Sequence, residues 1–245
     1  VHSLIASRFP RDKLQPVLLG LPFFRELAEQ APAELERLLP HTRLLLADPG
    51  ELIMRKGEFD SWCYFLLKGQ LAVQAGEDDS SGKTVGYIQP GDMFGALAIM
   101  RDSDRSASIV VRGRSADKSD LEKDRAILFG LDFSPFGELD DFSQISLATK
   151  LRFFQLVVER TEARLQAYER EMPGTDLGVR LASLPSFHGA QESLERLQYL
   201  HQRADALAEL LTEWNLTLES LDDYHPVREL PRADVLADLE RLYFG

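Results

Sequence analysis

From Thr42 onward the chain is cut into short apolar or alternating runs by Gly50, Gly57, Gly69, Gly76, Gly82 and Gly91. The runs cover residues 43–47, 52–55, 62–67, 71–74, 84–88, 105–112 and 125–131. Their period is two, and none is long enough to carry the apolar stripe of a packed helix. Strands this short, separated by frequent turns, must close into a jelly roll or barrel to hide their edges. About eight of them are expected. Residues 113–124, a charged loop between the last two runs, are expected to be mobile and without chemistry.

Helical signals flank this block. Residues 1–20 read as an arm broken by Pro10 and Pro16. A helix is expected from Leu21-Pro22-Phe23-Phe24, with proline in the first turn, where a missing N–H costs nothing. A second helical stretch, 33–39, stops at Pro40. Beyond the block, Leu147, Leu151, Phe154, Val158, Thr161, Leu165, Tyr168 and Met172 step by four and three. That is the a/d seam of a long helix, ended by Pro173-Gly174. Leu197, Leu200, Ala204, Leu207, Leu211, Trp214, Leu218 and Leu221 form a second seam. Similar lengths and a short connection predict an antiparallel hairpin. The seams can pair inside one chain or across a dimer. The preferred reading is a homodimer through residues 145–172 and 194–221. A short helix over 234–243 follows Pro231. The fold class is therefore α+β: an eight-stranded β jelly roll with flanking helices, a long dimerisation-type helix, and an all-α C-terminal helical module. The expected divisions are 1–20, 21–144, 145–172 and 173–245.

Composition removes several function classes. A net charge of −12 disfavours nucleic acid or an anionic membrane as main partner. From Asp176 onward there are thirteen acids against six arginines and no lysine. A DNA-reading module needs the opposite sign. A lone Cys63 fits a reducing compartment and reads as a buried, inert thiol. No leader and no run of about 18 apolar residues is read, so the expected location is cytoplasmic. The five histidines lack metal-ligand spacing, and Glu138, Asp140 and Asp141 read as a cap or a solvated turn. No nucleophile–base pair, P-loop or zinc motif stands out, so no enzymatic activity is expected.

The stretch with chemical content is 91–111, GDMFGALAIMRDSDRSASIVV. It reads as a tight turn, one helical turn and a strand. Gly95 allows close backbone approach. The amides of Ala96, Leu97 and Ala98 face outward at a helix start, and Arg105 brings a planar fork suited to phosphate. A buried corner with a solvated arginine fits the same residues.

The segment resembles the phosphate-binding cassette of the cyclic nucleotide-binding domains, in the spacing of the kinase A regulatory subunits. The family pattern F-G-E-L-A-L, four variable positions, a usual proline and R-A-A-T meets Phe94-Gly95-Ala96-Leu97-Ala98-Ile99 and, in register, Arg105-Ser106-Ala107-Ser108. The segments PGELIMRKGE, 49–58, and YFLLKGQLAV, 64–73, are similar to the family too. The resemblance covers about 21–172 and implies a regulatory protein that senses a cyclic nucleotide, cyclic AMP or a relative. It implies contact through Gly95, Ala96, Leu97, Ala98, Arg105 and Ser106, and more weakly a base covered by Tyr168. A ligand would then reposition the long helix. Two departures stand out: Asp104 replaces the usual proline, and Ala96 replaces the glutamate that accepts the ribose 2′-hydroxyl, which implies weakened binding. The resemblance to the family's transcription factors fails in the acidic tail, where no helix-turn-helix is readable. Two alternatives stay open: a ligand-free scaffold that keeps only the fold, serving an unidentified protein partner, and a transcription regulator with an atypical DNA reader.

Overall fold

A computed structural model describes residues 1–5, 10–76, 82–97, 104–113, 124–226 and 235. Among these the chain order is β1 (His2–Ile5), α1 (Arg11–Gly20), α2 (Pro22–Gln30), α3 (Pro32–Leu38), β2 (Thr42–Ala47), β3 (Leu52–Met54), β4 (Trp62–Lys68), β5 (Leu71–Ala75), β6 (Lys83–Ile88), β7 (Met93–Phe94), β8 (Ser108–Val111), β9 (Ala126–Asp132), α4 (Ser134–Gly137), α5 (Leu147–Glu171), α6 (Leu177–Ser183) and α7 (Leu194–Ser220). Two antiparallel sheets face each other, β1-β2-β9-β4-β7 and β3-β8-β5-β6. This is the jelly roll that the glycine spacing requires. It has nine described strands rather than eight, because β1 adds an edge to β2 with His2 opposite Leu46.

The first twenty residues are more than an arm. Helix α1 tolerates Pro16 in its interior because Leu14, Val17 and Leu18 are buried. Burying three aliphatic side chains, at about 1.5–3 kcal/mol each, outweighs the roughly 3 kcal/mol cost of an interior proline. The core between the sheets is aliphatic and aromatic, with Phe24 edge-on to Phe65 and Phe129. Phe23, Phe133, Phe136, Phe153 and Phe154 extend it outward, the rings of Phe136 and Phe153 lying 4.3 Å apart. This cluster seats the first turns of α5 on α2 and α4. Glu34 of α3 fixes the same end. Its Oε2 accepts from the Ser146 amide at 3.1 Å and the Thr149 hydroxyl at 2.5 Å. Burial pushes the Glu34 pKa up, but these hydrogen bonds outweigh it and hold the carboxyl below its ordinary range.

The two long helices pair within the chain, and they run parallel, not antiparallel. Phe154 meets His201, Glu162 meets Arg203 and Glu171 meets Tyr224, so partner numbers rise together. The connection makes this possible by running back along α5. Gly178 lies against Glu169, and the Pro185 carbonyl accepts from Tyr199 and Arg203 near the start of α7. Leu151, Phe154, Val158 and Leu165 are buried, as are Leu197, Leu200, Leu207, Leu211 and Leu218. Each seam is covered by the other helix and by the barrel. The apolar demand that suggested a homodimer is thus met inside one chain. The expected helix over 234–243 lies outside the described residues except Val235, whose amide donates to the Leu67 carbonyl at 2.9 Å. Residues 114–123 of the charged loop also lie outside them.

Candidate functional site

The stretch 91–111 takes the shape its residues dictate. Asp92 closes a turn, its amide donating to the Gln89 carbonyl at 3.0 Å and its carboxylate accepting from the Gln89 amide at 2.9 Å. Strand β7 leads into Gly95 at φ +89°, and a Cβ there would lie 2.9 Å from Met54 Cε and 3.0 Å from the Trp62 carbonyl. Glycine is required both by conformation and by space. Ala96 and Leu97 begin a helical turn; Ala98 lies outside the described residues.

Gly95, Ala96, Leu97, Arg105 and Ser106 all line one cavity of about 100 Å³. Arg105 is 3% exposed. Its fork does not face the cavity empty-handed. Nη2 donates to the Asp60 carboxylate at 2.6 Å and the Trp62 carbonyl at 2.7 Å, and Nη1 donates to the Gly95 carbonyl. Only Nε is buried without a partner. The guanidinium therefore holds β4 and the Gly95 turn together as well as charging the cavity.

Sequence reasoning missed the opposite wall. Val157, Arg160, Thr161 and Arg164 come from α5, and Leu211 and Asn215 from α7. Arg160 and Arg164 lie one helical turn apart, so an i, i+4 basic pair beside the seam was the available signal. Neither makes an ion pair among the described residues. No acidic residue lines the cavity among those described. Asn215 is 5% exposed, and its Oδ1 has no partner. A second compartment of about 270 Å³ shares Met93, Arg160 and Arg164 with the first. It contains buried Gln89, with neither amide atom partnered, and Tyr168. A Cβ on Gly86 would lie 2.8 Å from the Tyr168 hydroxyl, so Gly86 makes room for that ring. Burial pushes the Tyr168 phenol up, and it stays neutral.

The turn, the buried arginine and the glycine that admits it coincide with a sequence match. The family model "Cyclic nucleotide-binding domain" matches residues 46–116. Over that segment the chain is similar to the cyclic nucleotide-binding domains. No curated protein matches it. Solved structures that part of the chain is similar to include the regulatory domain of Toxoplasma gondii PKA with cAMP, at 18% identity and TM-score 0.39, covering 51% of this chain and 44% of that one. The regulatory subunit of a cAMP-independent protein kinase A from Trypanosoma brucei is 24% identical, with TM-score 0.38 and coverage of 50% and 38%. A putative cyclic nucleotide-binding protein from Geobacter metallireducens is 17% identical, with TM-score 0.45 and coverage of 61% and 97%. The chain spans less than half the length of the first two. The cyclic nucleotide-binding domain match ends at residue 116, before α5 and α7 begin, so the opposite wall of the cavity comes from outside it.

Cys63 stands apart from this site. It is fully buried, donates weakly to the Leu131 carbonyl at 3.5 Å, and burial pushes its thiol up to about 12. It is unreactive at neutral pH. Among the described residues no cluster suited to a metal ion occurs, and no helix is long and apolar enough to cross a membrane.

Proposed function

We propose that the protein is a regulatory sensor that takes a cyclic nucleotide, or a kindred compact phosphate ester, in the cavity between the Gly95 turn and α5. One observation carries this: three arginines and no acid line the first compartment, Arg105 paired with Asp60 but Arg160 and Arg164 making no ion pair among the described residues, beside a glycine turn in the matched segment. An anion is the complement of such a lining. Small-molecule sites commonly run to about 300–1,000 Å³. The first compartment alone suits a phosphate and sugar, and the contiguous second adds room for a base. Helices α5 and α7 form the far wall, so a ligand that touches Arg160 or Arg164 biases how they pack on the barrel.

Binding is expected to be weak for cyclic AMP, in the high-micromolar range or above, because Ala96 offers no acceptor. Calorimetric titration with cyclic AMP, cyclic GMP and cyclic di-GMP tests the reading. Arg160→Glu with Arg164→Glu reverses two surface charges without touching the core, and it should abolish the heat. A second reading, a scaffold that keeps the fold without a ligand, is favoured by Arg105, whose fork is already engaged by Asp60, Trp62 and Gly95. Absence of heat with all three nucleotides at millimolar concentration would select it.

A further inference from the structure

We propose that Asn215 is a ligand-binding residue that sets the specificity of this cavity, its Oδ1 accepting a hydrogen bond from a hydroxyl of an anionic sugar phosphate. The inference rests on the function proposed above and names the residue and ligand group that complete it. Asn215 sits on α7, next to Trp214 and between Leu211 and Leu218, all buried. A carboxamide in such a face is costly unless it is bonded, and a leucine would serve packing better. Yet among the described residues its buried Oδ1 has no partner, and the residue lines the cavity together with Arg105, whose Nε is likewise unpartnered. A buried polar atom left unbonded by its own chain calls for a partner from outside it. The two orphans are complementary in kind, one acceptor and one charged donor.

The rest of the cavity narrows the ligand further. Arg160 and Arg164 supply donors and demand negative charge, and Arg105, its fork engaged by Asp60, Trp62 and Gly95, adds its Nε. The Thr161 hydroxyl gives its proton to the Val157 carbonyl at 2.8 Å; it and the Ser106 hydroxyl keep lone pairs, but neither is a buried atom left without a partner. Ala96, on the opposite wall, supplies no side-chain polar atom. Asn215 is singled out as the lining acceptor that is buried and unpartnered, and a molecule bearing both a phosphate and a neighbouring hydroxyl satisfies both orphans at once. Because Asn215 belongs to α7, such a ligand bridges the barrel and a helix that lies beyond the matched segment.

The test is calorimetry with cyclic AMP and 2′-deoxy cyclic AMP on the native chain, Asn215→Leu and Asn215→Asp. A neutral hydrogen bond corresponds to roughly a three- to tenfold affinity difference. The native chain should prefer cyclic AMP by about that factor. Asn215→Leu should bind both nucleotides equally, at the deoxy level, whereas Asn215→Asp, which keeps the acceptor, should retain the preference. Asn215→Leu with undiminished preference would overturn the inference and leave the proposed function standing. A native chain that binds neither nucleotide would remove the proposed function, and this inference with it. Thermal melting checks that Asn215→Leu is folded. If it is not, Asn215→Asp decides alone: loss of the preference in that variant overturns the assignment.

Discussion

Arg105 ties β4 to the Gly95 turn and lines the cavity with the same side chain. Its position ten residues after Gly95 was legible, since the cassette spacing is local. Its partners were not: Asp60 and Trp62 lie more than forty residues away, and no local pattern encodes which carbonyls an arginine will find. Arg105→Lys keeps charge but cannot span the Asp60, Trp62 and Gly95 acceptors at once. It should lower stability by about 2–4 kcal/mol in urea unfolding, since several buried acceptors lose partners. Ala96 is 2% exposed in the same cavity. Ala96→Glu introduces a charged acceptor that competes with Asn215 for the ligand hydroxyl, and cyclic AMP affinity should rise about tenfold, as charged hydrogen bonds exceed neutral ones by roughly 1–1.5 kcal/mol. An unchanged dissociation constant would mean that the ligand hydroxyl does not face this wall. His201 supplies a pH response. Burial lowers its pKa, opposed by Asp205, and its ring packs 5.7 Å from Phe154. The folded state thus prefers neutral imidazole. The stability this gives is full above the ordinary histidine value of about 6.5 and is lost as pH falls toward the folded value. Melting temperature should drop between pH 7.5 and pH 5.5, and His201→Phe should flatten that dependence.

At the scale of elements, the short runs between glycines specified the sandwich because strand period and turn chemistry are local properties. The direction of α7 is not. A seam of leucines fixes which face is buried but is silent on whether the partner runs up or down. That choice was made by the connection, where α6 and the extended stretch around Pro185 return the chain to the start of α5. The short-loop argument failed because it treated this segment as a turn. The attachment of α5 can be probed at two places. Phe154 is fully buried among Phe133, Phe153 and His201, and Phe154→Ala should cost about 3–5 kcal/mol. Glu34→Ala removes the carboxylate that receives Ser146 and Thr149 at the head of α5, and should cost about 1.5–3 kcal/mol. Hydrogen exchange should show the loss concentrated in the first turns of α5, and uniform loss across the barrel would contradict the assignment.

At the scale of the molecule, the two seams that invited a dimer are consumed within the chain, so light scattering at micromolar concentration should report the mass of one chain. A doubled mass would locate the interface on some other surface. The placement of α7 has a further consequence, for how the chain is made. Its end meets strands laid down far earlier: the Lys83 ammonium donates to the Leu221 carbonyl, 138 residues on. That contact forms only once the sandwich and the end of α7 both exist. During synthesis at about 5–20 residues per second, several seconds separate the emergence of α5 from that of the end of α7. Through that interval the nascent chain carries a finished sandwich with an uncovered leucine stripe and an open-sided cavity. This intermediate would be captured by chaperones or by neighbouring nascent chains, and stalling translation just before residue 194 would trap it.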